Sequence, residues 1–357
     1  MQEQLDKQKF FSKSERLNDV VIIRSLAIVM VVAFHAYYMM MTPGHLPKSA
    51  DMYNDMYYNL HVFILKFRMP LFITISGYLF SHLENDRGKY ATVNDLLTNK
   101  FKRLIIPFFV FATIFMLSIN NFIWEPYYSW EYSHLWFIAM LFWCFIFTRA
   151  QSFLPFSKDS WWKSTLLIVF FILHTGLGIK FHLFGLQNFL IWYFWFYFGY
   201  QIYLNRDSVY GVIDKHRVIY TLILFGFYVI GCWIKINQNN ETNLFNVNSY
   251  IANLGYLSIV VLFWYWINYT LIHNWNKGRH IKSFNWLNKH AYGIYVLHYW
   301  LQPFLISTTA VSVLGLDILA IEYPILFPLA LFLSSFALSL GLTWLLLKTK
   351  IGKFLIG

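Results

Sequence analysis

Ten apolar runs, each close to the length that crosses a lipid bilayer, constrain this chain more than any other feature of its sequence. An α-helix needs about 20 mostly apolar residues to cross the hydrocarbon. Only 13% of the 357 residues are charged, whereas soluble chains average about 25%. So few charges cannot cover a soluble surface, and we predict an all-α, polytopic transmembrane helix bundle. The ten predicted spans are 19–41, 60–82, 104–124, 134–150, 162–180, 186–204, 218–236, 249–272, 288–309 and 325–347.

The basic residues gather on one side of this predicted bundle. With the N-terminus in the cytoplasm, 22 of the 28 Lys and Arg residues fall in cytoplasmic segments. The opposite side holds only Lys48, Lys180 and Lys235. Because cytoplasmic loops are enriched in basic residues, this asymmetry predicts an even number of spans and two cytoplasmic termini. The net charge of +11 therefore reports orientation, and no nucleic-acid partner is expected.

The loops between the runs are short, and no long linker or low-complexity tract divides the chain. We therefore predict one domain over residues 1–357, with the membrane bundle at 17–347. Cys144 and Cys232 lie inside apolar runs, where free thiols usually pack as small apolar groups, so no disulfide framework is expected. The first 16 residues are polar, which is unlike a cleavable signal peptide. Function is therefore expected within the bundle or at its faces.

Ionisable residues inside a span are costly, and each is a candidate for function. Arg24 and His35 both lie in the first run. Eleven steps of about 100° place them within about 20° of the same helical face, roughly 16 Å apart along the axis. A guanidinium suits phosphate and an imidazole suits proton transfer near neutral pH. The alternative is that Arg24 snorkels to lipid headgroups and His35 bonds a neighbouring helix.

A second basic cluster precedes the third run. Lys100, Lys102 and Arg103 stand just before Pro107 in the segment KFKRLIIPFF. Alone, such a cluster is most often a topology signal. Together with Arg24, it predicts a cationic cup for a large anionic ligand that enters from the cytoplasm.

Five short segments carry patterns that occur together in one known family. They are RSLAIVMVVAFH, FRMPLFITISGYLF (67–80), KFKRLIIPFF, HLWFIAMLF (134–142) and YGIYVLHYW (292–300). In this order they resemble the motifs of the membrane-bound acyltransferase 3 family: Arg-x10-His, Met-Pro-Leu-Phe with Ser-Gly-aromatic, basic-x-x-Arg before proline, His-Leu-Trp-Phe, and Ile-Tyr-hydrophobic-hydrophobic-His. The resemblance covers about 17 to 300.

The resemblance implies a bundle of about ten helices that moves an acyl group, usually acetyl, from cytoplasmic acyl-CoA to a hydroxyl of an acceptor at the outer face. The acceptor is typically a bacterial surface carbohydrate, which implies the bacterial inner membrane. His35 matches the catalytic histidine, while Arg24, Lys100 and Arg103 match the residues that hold the CoA phosphates. The family often has Arg where Lys100 stands, and Lys is a point charge without a bidentate fork.

The spacing of Arg24 and His35 agrees with this implication. Their axial gap of roughly 16 Å is comparable with an extended pantetheine arm, which would bring the thioester near His35. His35 then acts either as a general base or as a transient acyl carrier. His298 is a second catalytic candidate that would orient His35 or the acceptor, with a structural histidine as the alternative.

Several other residues carry weaker signals. Ser76 and Gly77 are interpreted as a close helix contact. Lys66 and Arg68 either snorkel or contact an anionic glycan or polyprenyl phosphate. The histidines at 134, 174 and 182 lack metal-ligand spacing, and no metal is expected. Two rival functions remain: an exporter of polysaccharide or lipid-linked intermediates, and an accessory subunit of glycan assembly.

Overall fold

The computed structural model describes residues 17–40, 54–90, 92–176, 180–237, 246–273, 280–306 and 326–357. Every regular element in these ranges is a helix. These ranges also contain two π turns, at His61–Leu65 and Phe101–Ile105, and a 3-10 turn at Ser133–Leu135. In chain order the α-helices are α1 (Asn18–Met40), α2 (Asn54–Leu60), α3 (Arg68–Asn85), α4 (Val93–Lys100), α5 (Ile106–Ser118), α6 (Glu125–Ser129), α7 (Trp136–Gln151), α8 (Ser160–Gly176), α9 (Leu186–Leu204), α10 (Arg206–Lys215), α11 (Arg217–Asn237), α12 (Val247–His273), α13 (His280–Ile306), α14 (Leu326–Leu346) and α15 (Lys350–Ile356).

Each of the ten predicted runs contains a helix in its described part. Seven helical segments of the described chain are long and apolar enough to cross a membrane: Asn18–Tyr38, Tyr58–Asn85, Val93–Ser118, Glu125–Gln151, Arg217–Asn237, Val247–His273 and Leu326–Leu346. The other three runs form α8, α9 and α13. Here α8 has only 17 residues, and α9 and α13 carry many polar and tyrosine side chains. The all-helical, multi-pass character is confirmed, while the count of about ten spans and the side of each terminus stay predictions.

The predicted boundaries of the third span, 104–124, are wrong at both ends. The helical segment starts at Val93 and ends at Ser118, where Asn120 takes a left-handed φ of 54°. The basic motif therefore lies within the helix, at the end of α4 and in the π turn, and not in a loop before it. A polar first turn explains the error at the start, because apolar content alone does not mark where a helix begins. The run ends at 41, 177–179, 307–309 and 325 lie outside the described residues.

Two glycines set the closest helix contact of the bundle. A Cβ atom added at Gly77 of α3 would overlap the backbone of Phe196 in α9, and one added at Gly199 of α9 would overlap the backbone of Thr74 in α3. Small residues allow such close approach between membrane helices. The structure thus agrees with the packing interpretation of Gly77, and the hydroxyl of Ser76 donates within its own helix to the carbonyl of Phe72, at 2.9 Å.

The first helix lies against three others that build the functional region. It packs on α3, α13 and α14. The hydroxyl of Ser25 donates to the carbonyl of Phe284 in α13, at 3.1 Å. Gln302 of α13 donates to the carbonyl of Val32 in α1 and to the hydroxyl of Ser335 in α14, both at 3.3 Å. These bonds join α13 to both α1 and α14. They fix the register of α1, which carries His35, against α13, which carries His298.

Candidate active site

A cavity of about 450 Å³ lies between α1, α3, α7, α13 and the α4–α5 segment. The three residues that the sequence assigns to phosphate binding all line it, with Arg24 on α1 and with Lys100 and Arg103 at the α4–α5 junction. Lys89 and Lys289 line it as well. The remaining lining is mostly apolar and aromatic. The cavity therefore combines a basic region with an apolar one, as a ligand with an anionic head and a long uncharged arm requires.

The basic residues of this cavity have no acidic counterpart. None of its lining residues is Asp or Glu, and within the described chain the ion pairs lie elsewhere, leaving Arg24, Lys100 and Arg103 without a carboxylate. Burial raises the pKa of the Tyr90 hydroxyl, so this lining residue supplies no negative charge either. Cations clustered this closely repel one another unless an anion compensates them. The cavity is therefore suited to an anionic ligand.

A proline and a tyrosine hold the basic motif in place. Pro107 has no N–H, so it cannot donate to the carbonyl four residues earlier, which is that of Arg103. The hydroxyl of Tyr292 in α13 donates to this carbonyl instead, at 3.3 Å. The π turn that carries Arg103 is thereby tied to α13, which also lines the cavity. The proline that interrupts the run thus helps to position the basic residue before it.

The ammonium of Lys100 sits among aromatic rings. Its Nζ lies 3.4 Å from the ring centroid of Phe145, 5.2 Å from that of Tyr90 and 5.9 Å from that of Phe80. The faces of such rings attract cations. These contacts hold Lys100 at the cavity wall. A compact ammonium can contact several rings at once, whereas a planar guanidinium would stack on one ring face.

Three histidines from distant parts of the sequence meet beyond this cavity. His35 and His298 have ring centroids 5.2 Å apart, His134 and His298 5.3 Å, and His35 and His134 6.3 Å. Tyr299 packs on two of them, at 4.8 Å from His35 and 5.1 Å from His134. His298 is fully buried and His134 is 4% exposed. Both sequence-predicted catalytic histidines therefore belong to one cluster.

Backbone carbonyls decide which nitrogens of the cluster carry protons. The Nδ1 atom of His298 lies 3.0 Å from the carbonyl of Ile294, and the Nε2 atom of His134 lies 2.9 Å from that of Val296. A carbonyl only accepts, so these nitrogens donate, and in the neutral rings the other nitrogen of each carries a lone pair. Those nitrogens and Nδ1 of His35 are buried without a hydrogen-bond partner. The cluster thus keeps free nitrogens for proton transfer.

In the described chain, no group of three His, Cys, Asp or Glu side chains has a metal-binding arrangement.

Three aromatic rings separate the basic cavity from the histidines. Phe72, Phe137 and Tyr295 line the cavity, whereas none of its lining residues is a histidine. The centroid of Tyr295 lies 5.5 Å from that of His134 and 6.1 Å from that of His298. Its hydroxyl donates to the backbone carbonyl of His134. We refer to Phe72, Phe137 and Tyr295 as the aromatic partition.

Arg68 turns into the bundle and does not snorkel. It is 8% exposed, and its guanidinium lies 3.1 Å from the ring centroid of Phe34, the residue before His35. One of its nitrogens donates to the carbonyl of Leu65, at 2.8 Å, while Nε has no partner. The charge of Arg68 acts electrostatically on His35 and His298. This buried cation therefore belongs to the surroundings of the histidine cluster.

A second cavity, of about 430 Å³, lies at the start of α7. Its lining contains Glu125, Glu131, Tyr132, Trp136 and Asn188 and no Lys or Arg. The two oxygens of the Glu131 carboxylate accept from the Asn188 amide, at 2.7 Å, and pair with His182, at 3.0 Å. The consecutive residues Trp136 and Phe137 line the second cavity and the basic cavity respectively. The two cavities therefore approach each other near the 3-10 turn that carries His134.

His134 is a residue of the cluster that the sequence does not predict as part of the site. Its spacing to other histidines excludes a metal-ligand pattern, but spacing says nothing about a histidine that acts by proton transfer or orientation. The signal that would have identified it is its place in the HLWF segment, where a buried polar residue opens an apolar run. Its partners on α1 and α13 lie far away in the sequence, so no local pattern predicts their contact.

These features define a multi-pass membrane protein in which an unpaired basic cavity leads toward buried imidazoles. Residues 18–348 match a family model described as an acyltransferase domain. The chain therefore belongs to the acyltransferase 3 family, as its five motifs predict, and membrane acyl transfer from a donor to an acceptor follows from that membership. Searches of curated proteins and of solved structures found no match.

Proposed function

We propose that this protein is a membrane-bound O-acyltransferase that moves an acetyl group from cytoplasmic acetyl-CoA to a hydroxyl of a bacterial surface or exported carbohydrate. The proposal places it in the bacterial inner membrane as one domain with about ten spans and cytoplasmic termini. The observation that carries it is the course of α1, which brings Arg24 to an unpaired basic cavity and His35 to a cluster of imidazoles.

The charge of the basic cavity and its apolar lining support acetyl-CoA as the donor. The phosphates of acetyl-CoA would pair with Arg24, Lys100 and Arg103, since guanidinium and ammonium groups bind phosphate strongly. A larger cavity of about 770 Å³ shares Lys89, Tyr90 and Arg103 with the basic cavity and adds Lys102, Lys353 and one acidic residue, Asp95. It would give room for the nucleotide. The pantetheine arm would follow the apolar lining toward the aromatic partition, with the thioester at its end.

His35 is the group proposed to activate the acceptor. An imidazole nitrogen of His35 removes the proton of the acceptor hydroxyl, and the oxygen attacks the thioester carbonyl carbon. The carbon–sulfur bond breaks, the ester forms, and the CoA thiolate takes the proton back from the imidazolium. The same residue as nucleophile would give an acyl-imidazole that the acceptor then attacks. His298, whose Nε2 atom is buried without a hydrogen-bond partner, would orient His35 by accepting its N–H.

The second cavity is suited to a carbohydrate acceptor. Sugars present hydroxyl groups to carboxylates and amides, and C–H faces to aromatic rings. Glu131, Asn188, Tyr132 and Trp136 supply these groups. Because His134 directly follows Ser133 of this lining, an acceptor bound here lies next to the histidine cluster.

The decisive test is transfer of radiolabelled acetyl from acetyl-CoA in membranes that contain the protein. We expect the wild type to label a glycan acceptor, and we expect His35→Ala to abolish labelling while the protein still accumulates in the membrane. His174→Ala is the matched control, since His174 bonds to Trp195 and Ile191 away from the cluster. Full activity of His35→Ala would refute its role. An exporter or an accessory subunit would leave no label with the wild type.

A further inference from the structure

We propose that the aromatic partition is a size filter, which admits only a short acyl group from the donor cavity to the histidines. This inference rests on the proposed acyl transfer and goes beyond it, because it assigns selection of the acyl chain to Phe72, Phe137 and Tyr295. The filter lies where the thioester must pass to reach His35.

The three rings of the partition contact one another. The centroids of Phe72 and Phe137 lie 5.2 Å apart, those of Phe137 and Tyr295 5.3 Å, and those of Phe72 and Tyr295 6.2 Å. Aromatic rings at such distances are in direct contact. All three side chains are at most 6% exposed. The rings therefore close the inner end of the cavity.

Two helices show that the rings stand between the two parts of the site. Along α13, Tyr292 and Tyr295 line the cavity, while His298, three residues further on, does not. Along α1, Arg24 lines it, while His35, three turns away, does not. A thioester whose phosphates rest on the basic residues thus meets the partition before it meets the imidazoles.

The partition has one hydrogen bond that holds it in place. The hydroxyl of Tyr295 donates to the backbone carbonyl of His134, whereas Phe72 and Phe137 have no polar atoms in their side chains. Rotation of one tyrosine would therefore open a passage at the loss of a single hydrogen bond. A two-carbon acyl group needs a small opening, and each further methylene must displace more of the packed rings, which is costly in a dense interior.

The first test measures selectivity for chain length with purified protein. The ratio of kcat/KM for hexanoyl-CoA to that for acetyl-CoA should rise about tenfold or more in Tyr295→Ala, and by less than that in Tyr295→Phe, which keeps the ring and loses only its hydrogen bond. Leu83→Ala is the matched control, since Leu83 lines the same cavity outside the partition, and it should leave the ratio unchanged. An active Tyr295→Ala protein with an unchanged ratio would overturn the filter. Where Tyr295→Ala does not accumulate, Phe137→Leu carries the same test.

The second test does not depend on acyl transfer. In inside-out vesicles, a charged thiol reagent should modify a His35→Cys protein at least about tenfold faster when Tyr295→Ala is also present. Cys144 and Cys232 are buried and give a low background. Faster modification, together with no transfer from any acyl-CoA by protein that keeps His35, would retain the partition and refute the proposed function. Equal rates with and without the tyrosine ring would refute the partition itself.

Discussion

Aromatic rings contact two of the basic side chains near the site. Lys100 lies in a cage of Phe80, Tyr90 and Phe145, while Arg68 stacks on Phe34. In both cases the ring face compensates part of the desolvation of the cation. Arg24 has neither a cage nor a carboxylate in the described chain, and it lines the donor cavity. The charge of Arg24 is therefore available to a ligand in this cavity.

Arg24→Gln should weaken donor binding. Loss of one charged hydrogen bond costs about 1.5–3 kcal/mol, so KM for acetyl-CoA should rise about 10- to 100-fold, with a smaller change in kcat. Steady-state kinetics in detergent check this result. Lys158→Gln is the control, because Lys158 is exposed and lines neither basic cavity. An unchanged KM would show that the phosphates rest elsewhere.

The residue scale also shows which parts of the site the sequence could predict. The face shared by Arg24 and His35 follows from helix geometry within one run, so it was predictable. The cluster of His35, His134 and His298 joins three runs, and its contacts depend on how those helices cross. The contact of Arg68 is unpredictable for a related reason. Snorkelling places a cation near the end of a span among lipid headgroups, whereas here the guanidinium stacks on Phe34 of a neighbouring helix.

At the scale of helices, close approach and irregular turns determine where the site residues lie. Gly77 and Gly199 let α3 and α9 touch through their backbones, and α3 carries Phe72 of the partition. The π turn before Pro107 places Arg103 beside α13. The sequence predicted that helices exist in these regions, because apolar content is a local property. It did not predict the start of the third span at Val93, because polar first turns resemble loops.

Gly77→Ala should reduce the amount of folded protein. The added Cβ overlaps the backbone of Phe196, and overpacking of this kind costs about 1–3 kcal/mol or more. Gly226→Ala is the matched control, since a Cβ at this helical glycine meets nothing within 4 Å and alanine favours helix. Thermal unfolding in detergent should show a lower midpoint for Gly77→Ala only. Equal midpoints would mean that α3 and α9 do not cross in this way.

At the scale of the whole molecule, the two cavities carry opposite charge and approach each other at the histidines. The basic cavity has Arg24, Lys100 and Arg103 in its lining and no Asp or Glu side chain. The second cavity has Glu125 and Glu131 and no Lys or Arg. An anionic donor and an acceptor rich in hydroxyl groups would therefore be drawn to different cavities and meet at His35. Transfer of an acyl group from a cytoplasmic donor to an acceptor at the outer face would require the two cavities to open on opposite faces of the membrane.

Two variants that each add one exposed cysteine test that requirement directly. Lys102 and Glu125 are both exposed and flank the third predicted span, one beside the basic cavity and one in the lining of the second cavity. With the basic side in the cytoplasm, a membrane-impermeant thiol reagent should label Lys102→Cys only in inside-out vesicles and Glu125→Cys only in intact spheroplasts. The wild type, whose Cys144 and Cys232 are buried, gives the background. Labelling of both variants from one side would place both cavities on the same face, and an acyl group would then cross no membrane during its transfer.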